Sequence, residues 1–196
     1  MNVVSTPPVI LASGSAYRRE LLGRVLPAFE VVVPAVDETA QPDEPAAGLA
    51  TRLAAAKARA VAALRPGAIV IGSDQVAECA GAILGKPGSA ERAIEQLHRC
   101  AGRRLVLHTA VCVLGPGGAS RDHLDQTALQ LRALDTAAIR AYVDRDRPLD
   151  CAGSFRFEAL GAALFSSVET RDPTAIQGLP LLWLCGALAG FGVHLL

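Results

Sequence analysis

Three sets of residues combine types suited to phosphate and metal chemistry. The first, Ser13-Gly14-Ser15-Ala16-Tyr17-Arg18-Arg19, offers two hydroxyls, a glycine and two guanidinium groups where an apolar run gives way to helical spacing. Backbone N–H groups at such a helix start hold anions; the plainer reading is a serine N-cap followed by surface arginines. The second is acidic: Asp37-Glu38 lies in a polar loop, and Asp74 follows the apolar run Ala68–Gly72. Carboxylates converging from neighbouring strand ends bind a divalent cation through oxygen or supply a general base, although Asp37 reads first as a loop-capping residue. The third is cationic. Lys57 and Lys86 are the only lysines among 19 basic residues, the other 17 being arginine. In a chain so biased, a retained lysine marks a position where a compact ammonium is preferred to a guanidinium fork; the plain alternative for Lys57 is a side chain snorkelling from an Ala-rich helix.

Several chemistries are excluded. Lys+Arg and Asp+Glu are equal at 19 each, so there is no net positive field of the kind that binds a nucleic-acid polymer. Gly81-Ala82-Ile83-Leu84-Gly85-Lys86-Pro87 is not a P-loop, because its spacing is wrong and Pro stands where Ser or Thr would hold magnesium. The four histidines (His98, His108, His123, His194) show no ligand spacing and no Ser-His-Asp set is indicated. The five cysteines (79, 100, 112, 151 and 185) lack a C-x-x-C pair and read as buried free thiols in a reducing cytosol. Tyr142 and Trp183 sit in helical apolar patterns and read as core.

The elements that must position these groups follow from periodicity and breakers. Pro8–Ala12 is a strand leading into a helix through Tyr17, Leu21, Leu22 and Val25, and Phe29–Val33 is a second strand ended by Pro34. A long Ala-rich helix runs from about Pro45 to Leu64, where Arg65-Pro66-Gly67 stops it. Ala68–Gly72 is apolar throughout, as in a strand buried on both faces, with Ser73-Asp74-Gln75 at its carboxyl end. Val76–Leu84 is a hairpin turning near Gly81, and Ser89 caps a helix through Cys100. Strands at Arg104–Leu114 and Arg121–Leu131 flank Gly115-Pro116-Gly117-Gly118; Asp135 caps a helix over Thr136–Arg145, and Gly161–Phe165 is a further strand.

With 196 residues, 51% hydrophobic and 19% charged, the chain folds as one domain, residues 1–196, with an α/β fold and a mixed sheet. Ligands of such sheets bind outside the carboxyl ends of strands. Pro173–Leu196 carries no formal charge, but its prolines and glycines divide it into a buried helix and a strand-like tail instead of a membrane span. Met1–Leu11 lacks a basic n-region, so no signal peptide is expected.

Together these segments resemble the Maf family of nucleoside triphosphate pyrophosphatases over nearly the whole chain. The resemblance rests on Leu11–Leu22, Val36-Asp37-Glu38, Leu53–Ala58 around Lys57, Gly72-Ser73-Asp74-Gln75, Gly85-Lys86-Pro87, Tyr142-Val143, Cys151-Ala152-Gly153-Ser154-Phe155 and Gly178-Leu179-Pro180-Leu181. Two positions depart from it: Ala16 stands where Pro is usual, and Thr170 where Gly is common.

The resemblance implies a central twisted sheet flanked by helices, with two lobes around a nucleotide cleft. It implies a cytoplasmic homodimeric hydrolase that releases diphosphate from a nucleoside triphosphate with Mg2+, Mn2+ or Co2+. Asp74 carries over as proton acceptor and Glu38 as its acidic partner, both at the metal. Ser13, Ser15, Arg18, Lys57 and Lys86 carry over to the triphosphate, Lys86 with a catalytic part. Tyr17, Gln75 and the Cys151–Glu158 loop are similar to the branch acting on 7-methyl-GTP, a house-cleaning activity; the alternatives are the dTTP/UTP branch or a non-catalytic nucleotide-binding regulator of cell division. A physical reason accompanies the first choice. Methylation at N7 makes guanine cationic, so an aromatic face such as Tyr17 gains roughly 0.5–2 kcal/mol that neutral bases forgo, and Glu158 can accept from the guanine edge.

Overall fold

In the computed structural model, residues 7–196 are described; the leader reading for Met1–Leu11 rests partly on residues 1–6, which lie outside them. The described chain has five α-helices and seven strands, which hydrogen-bond in the order β2-β1-β3-β5-β6-β7, with β4 paired to β3. They are β1 (Val9–Ala12), β2 (Glu30–Val31), β3 (Ile69–Cys79), β4 (Ala82–Leu84), β5 (Arg104–Leu114), β6 (Ser120–Leu131) and β7 (Phe165–Glu169). The helices are α1 (Ala16–Gly23), α2 (Ala46–Leu64), α3 (Ala90–Cys100), α4 (Thr136–Asp146) and α5 (Leu181–Ala189). Two compact units are distinguished, one formed by residues to Asp74 with Thr109–Leu124 and Asp172–Leu196, the other by Gln75–His108 and Asp125–Arg171.

In the first unit β1 pairs in parallel with β2 and with β3, aligning Ala12 with Gly72. Parallel neighbours need crossovers, which α1 and α2 supply. Val9 and Leu11 of β1, Ile69 and Ile71 of β3, and Val111 and Val113 of β5 pack with Leu21 and Leu22 of α1 and Leu184 and Leu188 of α5. The opposite face of β3 is covered by α2, so the apolar run at its start is buried on both sides as its sequence requires. Apolar nearly all round, α5 is a core helix of nine residues, and among the described residues no helix is long and apolar enough to cross a membrane.

In the second unit β3 turns into β4 through Ala80 and Gly81, both at positive φ, the geometry of a type I′ hairpin. Ser89 caps α3 by accepting from the Arg92 N–H, and Asp135 caps α4 through the Ala138 N–H. Leu105, Leu97, Ile139, Val143, Phe155 and Phe165 are buried, with the two phenylalanine rings edge to face at 4.8 Å.

Several expectations are corrected. β3 does not end at Gly72 but continues to Cys79, so Ser73-Asp74-Gln75 lie inside a strand. The strand expected at Gly161–Phe165 is a 3-10 helix over Leu160–Leu164 followed by β7, because the Gly161 N–H folds back onto the Arg156 carbonyl. The expected C-terminal strand is absent among the described residues: the Val193 N–H closes α5 by bonding to the Leu188 carbonyl, with Gly192 at positive φ. The second strand pairs over only Glu30–Val31. Trp183, expected in the core, packs against the core cluster half-buried and stacks on His123. Cys79, Cys100 and Cys112 are buried free thiols, while Cys151 and Cys185 are half-buried.

Candidate active site

Gly72 decides how α2 lies on β3. A Cβ there would stand 2.2 Å from the Ala54 carbonyl oxygen and 2.6 Å from the Ala58 nitrogen, so helix backbone rests directly on strand backbone. Asp74 follows two residues along the same strand face, and Lys57 leaves α2 between those two alanines. Its ammonium lies 2.6 Å from Asp74 Oδ1 and 2.6 Å from Glu38 Oε1. Lys57 is 7% exposed, so the snorkelling reading does not apply; a buried ammonium needs the counter-charge these carboxylates give.

Glu38 reaches this point from the exposed loop between β2 and α2. Arg52 of α2 anchors that loop by donating to both Glu44 carboxylate oxygens, at 2.6 and 2.8 Å, and to the Thr39 carbonyl at 3.0 Å. Asp37 accepts from the Thr39 N–H at 2.9 Å and is the loop cap its sequence indicated; the Thr39 side chain first, and then that N–H, hold its carboxyl below the usual range. The Arg52 guanidinium depresses Glu44 to about 2. A depressed carboxylate stabilises the fold above its ordinary value near 4.5 and loses that contribution as pH falls towards 2. Glu44→Gln should therefore flatten the Tm-versus-pH curve between pH 4.5 and 2; an acid limb identical to wild type would show that the pair anchors nothing.

Beyond the end of β1, Ser13 is buried, and Ser15 is the N-cap of α1, its hydroxyl accepting from the Arg18 N–H at 3.4 Å. Arg18 donates through Nε to the Gly178 carbonyl at 2.9 Å and through Nη1 to Ser13 Oγ at 3.3 Å. The Gly178 carbonyl also accepts from Ser73 Oγ at 2.9 Å. Gly178 has φ +96°, and a Cβ there would come within 3.2 Å of Arg18 Nε, so the position requires glycine on two counts. Burial pushes the Arg18 guanidinium below its ordinary value, and the charges of Asp74 and Glu38 pull it back up. The first unit thus assembles Ser13, Ser15, Arg18, Glu38, Lys57 and Asp74, with half-buried Tyr17 on the first turn of α1.

The remaining predicted residues belong to the second unit, where Lys86 is exposed after β4 and Glu158 is exposed beyond the 3-10 helix Ala152–Ser154. Gln75 follows Asp74 on β3 and projects to the opposite face. Tyr142, which the sequence places in the core, is buried and also holds the Cys151–Glu158 segment: its hydroxyl donates to Asp146 Oδ2 at 2.8 Å and accepts from the Arg156 N–H at 3.1 Å. Ser73, Gly178 and Asp146 are not singled out by sequence reasoning; for the first two the available signal is their place inside matched segments, and for Asp146 its i+4 spacing from Tyr142.

Two carboxylates meeting at one point are a donor set that suits a hard divalent ion taking its other ligands from phosphate and water. Among the described residues there is no group of three or more His, Cys, Asp and Glu side chains placed to hold a metal by themselves. Glu38 and Asp74 are the pair that would hold it.

The family profile described as Maf-like protein matches residues 8–191. The chain belongs to that family. It is 51% identical over 189 residues to a protein of Xanthomonas oryzae pv. oryzae named 7-methyl-GTP pyrophosphatase, covering 96% of this chain and 99% of that one. It is 50% identical over 188 residues to a protein of the same name from Bordetella pertussis, covering 95% and 94%. The structure of the Staphylococcus aureus Ham1 protein superposes with a TM-score of 0.56 over 93% of this chain and 98% of that one; at 16% identity this likeness concerns the fold alone. The mixed α/β fold expected of a Maf member is the one observed.

Proposed function

We propose that this Maf-family chain is a nucleoside triphosphate pyrophosphatase that hydrolyses 7-methyl-GTP to 7-methyl-GMP and diphosphate, its residues 1–196 acting as one catalytic domain. The observation that carries the chemistry is the Lys57 ammonium held between Asp74 and Glu38 at 2.6 Å each. The substrate is taken from the names of relatives that are about half identical over nearly the full chain. Asp74 accepts the proton of the water that attacks the α-phosphorus. Arg18, oriented by Gly178 and Ser13, meets the phosphates with the N–H groups at the start of α1, and Lys86 spreads charge on the departing diphosphate. Lys57 keeps two like charges at one place and fixes the aim of Asp74. A divalent cation held by Glu38 and Asp74 supplies further neutralisation of triphosphate charge when bound. The reading carries with it a cytoplasmic location and a homodimer, and sedimentation of the purified chain tests the dimer.

Diphosphate release measured over a panel of nucleoside triphosphates, with and without divalent ions, is the direct test. Preference for 7-methyl-GTP is expected. Preference for dTTP or UTP would overturn the substrate, and nucleotide binding without diphosphate release would favour a regulator. Base choice has its own test in Tyr17 and Glu158. Tyr17→Ala should raise KM for 7-methyl-GTP roughly 3- to 30-fold, the loss of about 0.5–2 kcal/mol of cation–π attraction, and change GTP much less. Glu158→Gln should narrow the ratio of kcat/KM between the methylated and unmethylated nucleotides. Equal losses on both nucleotides in both variants would leave only the general pyrophosphatase.

A further inference from the structure

One side chain that no motif contains joins two motif segments of the second unit. Gln96 of α3 donates through Nε2 to the Gly85 carbonyl at 3.2 Å, and its Oε1 accepts from the Ser154 hydroxyl at 2.6 Å. Gly85 immediately precedes Lys86, and Ser154 lies in the Cys151–Phe155 segment.

Both ends of the bridge are places where the backbone needs help. Ser154 is wholly buried with φ +62°, a conformation that a residue with a Cβ adopts only where its surroundings enforce it. Its N–H bonds to the Cys151 carbonyl, and its hydroxyl would be a buried polar group lacking compensation without Gln96. At the other end only Gly85, Lys86, Pro87 and Gly88 lie between β4 and the cap of α3. That segment is tied at Gly85 by Gln96 and at Gly88, whose N–H donates to the Leu149 carbonyl at 2.9 Å. Lys86 sits between the two ties with its side chain exposed. An exposed lysine clamps phosphate effectively only when its backbone is already fixed, because the ordering entropy is then spent in folding and not at each turnover.

We propose that Gln96 is a positioning residue which holds the Lys86 backbone and the Ser154 turn in one arrangement, so that Lys86 meets the triphosphate preordered. The role is conformational and rests on the pyrophosphatase reading for its consequence. The helix that carries Gln96 is held by its Ser89 cap and by buried Ala93, Leu97 and Cys100, so replacing Gln96 leaves α3 in place.

The two arms separate by substitution. Gln96→Glu keeps an acceptor for Ser154 but presents a carboxylate to the Gly85 carbonyl, whereas Ser154→Ala removes the other arm alone. In the nucleotide-free chain, Gln96→Glu should speed amide hydrogen exchange in a peptide spanning 85–89 at least several-fold while α3 stays protected; unchanged exchange there would overturn the tether. In diphosphate release from 7-methyl-GTP, Gln96→Glu should lower kcat/KM roughly 10-fold in the wild-type background and change almost nothing when added to Lys86→Ala. Equal losses in the two backgrounds would show that Gln96 does not act through Lys86. The wild-type rate is read in parallel: an inactive wild type overturns the pyrophosphatase reading and this role in turnover with it, whereas an active wild type with additive losses overturns the present inference alone.

Discussion

Asp74→Asn is expected to reduce diphosphate release by about 10²–10⁴-fold at saturating nucleotide and divalent ion, the range in which a positioned proton acceptor contributes. At about 1.4 kcal/mol per tenfold this is roughly 3–5 kcal/mol of the activation barrier. Asparagine preserves the volume of the side chain and an oxygen for the Lys57 ammonium, which lies 2.6 Å from Asp74 Oδ1, so the strand and the helix above it remain seated. Lys57 also keeps Glu38 at 2.6 Å as its counter-charge. Thermal stability should accordingly change far less than turnover. Glu38→Gln is the companion measurement: Glu38 approaches from an exposed loop, and its loss should weaken the response to divalent ion more than the response to nucleotide. Turnover in Asp74→Asn within about 10-fold of wild type would remove Asp74 from the proton-transfer role and leave it as an electrostatic partner of Lys57.

Much of this arrangement is legible in the amino-acid sequence, and the parts that are not share a cause. The scarcity of lysine singles out Lys57 and Lys86, and the apolar run before Asp74 marks the strand that carries it, although that strand runs on to Cys79 and does not end at Gly72. The serine-rich junction Ser13–Ser15 reads as a helix start, and Ser15 is the cap of α1. What composition and spacing do not reveal acts through backbone or across long separations. Gly178 contributes a carbonyl that collects donors from Arg18 and Ser73, residues 160 and 105 positions away. Gln96 meets Ser154 across 58 residues. Neither a carbonyl nor a bridging amide leaves a compositional trace. The elements that differ from expectation have a local reason: short apolar stretches such as Gly161–Phe165 have no period long enough to separate strand from 3-10 turn, and there the Arg156 carbonyl decides the outcome by accepting the Gly161 N–H.

Gly72→Ala carries the second large effect, and it links packing to chemistry at a single methyl group. The added Cβ would meet the Ala54 carbonyl oxygen at 2.2 Å, the Ala58 nitrogen at 2.6 Å and the Ala58 Cβ at 2.8 Å. Two of these three atoms are helix backbone, so no rotamer change relieves the contact. Removing the Ala58 methyl by Ala58→Gly would relieve only the third. The helix must therefore lift from β3, and overpacking of this kind costs about 1–3 kcal/mol or somewhat more, a fall in Tm of roughly 3–10 °C for a chain of this size. Lys57 lies in the turn that moves. Its ammonium would leave the position 2.6 Å from both carboxylates, and a displacement on the order of 1 Å at a reacting constellation costs about 10²-fold in rate. Calorimetry and diphosphate release at a temperature where the variant remains folded separate the two effects. A Gly72→Ala chain with wild-type Tm and wild-type turnover would show that α2 does not rest on Gly72, and that the placement of Lys57 has another origin.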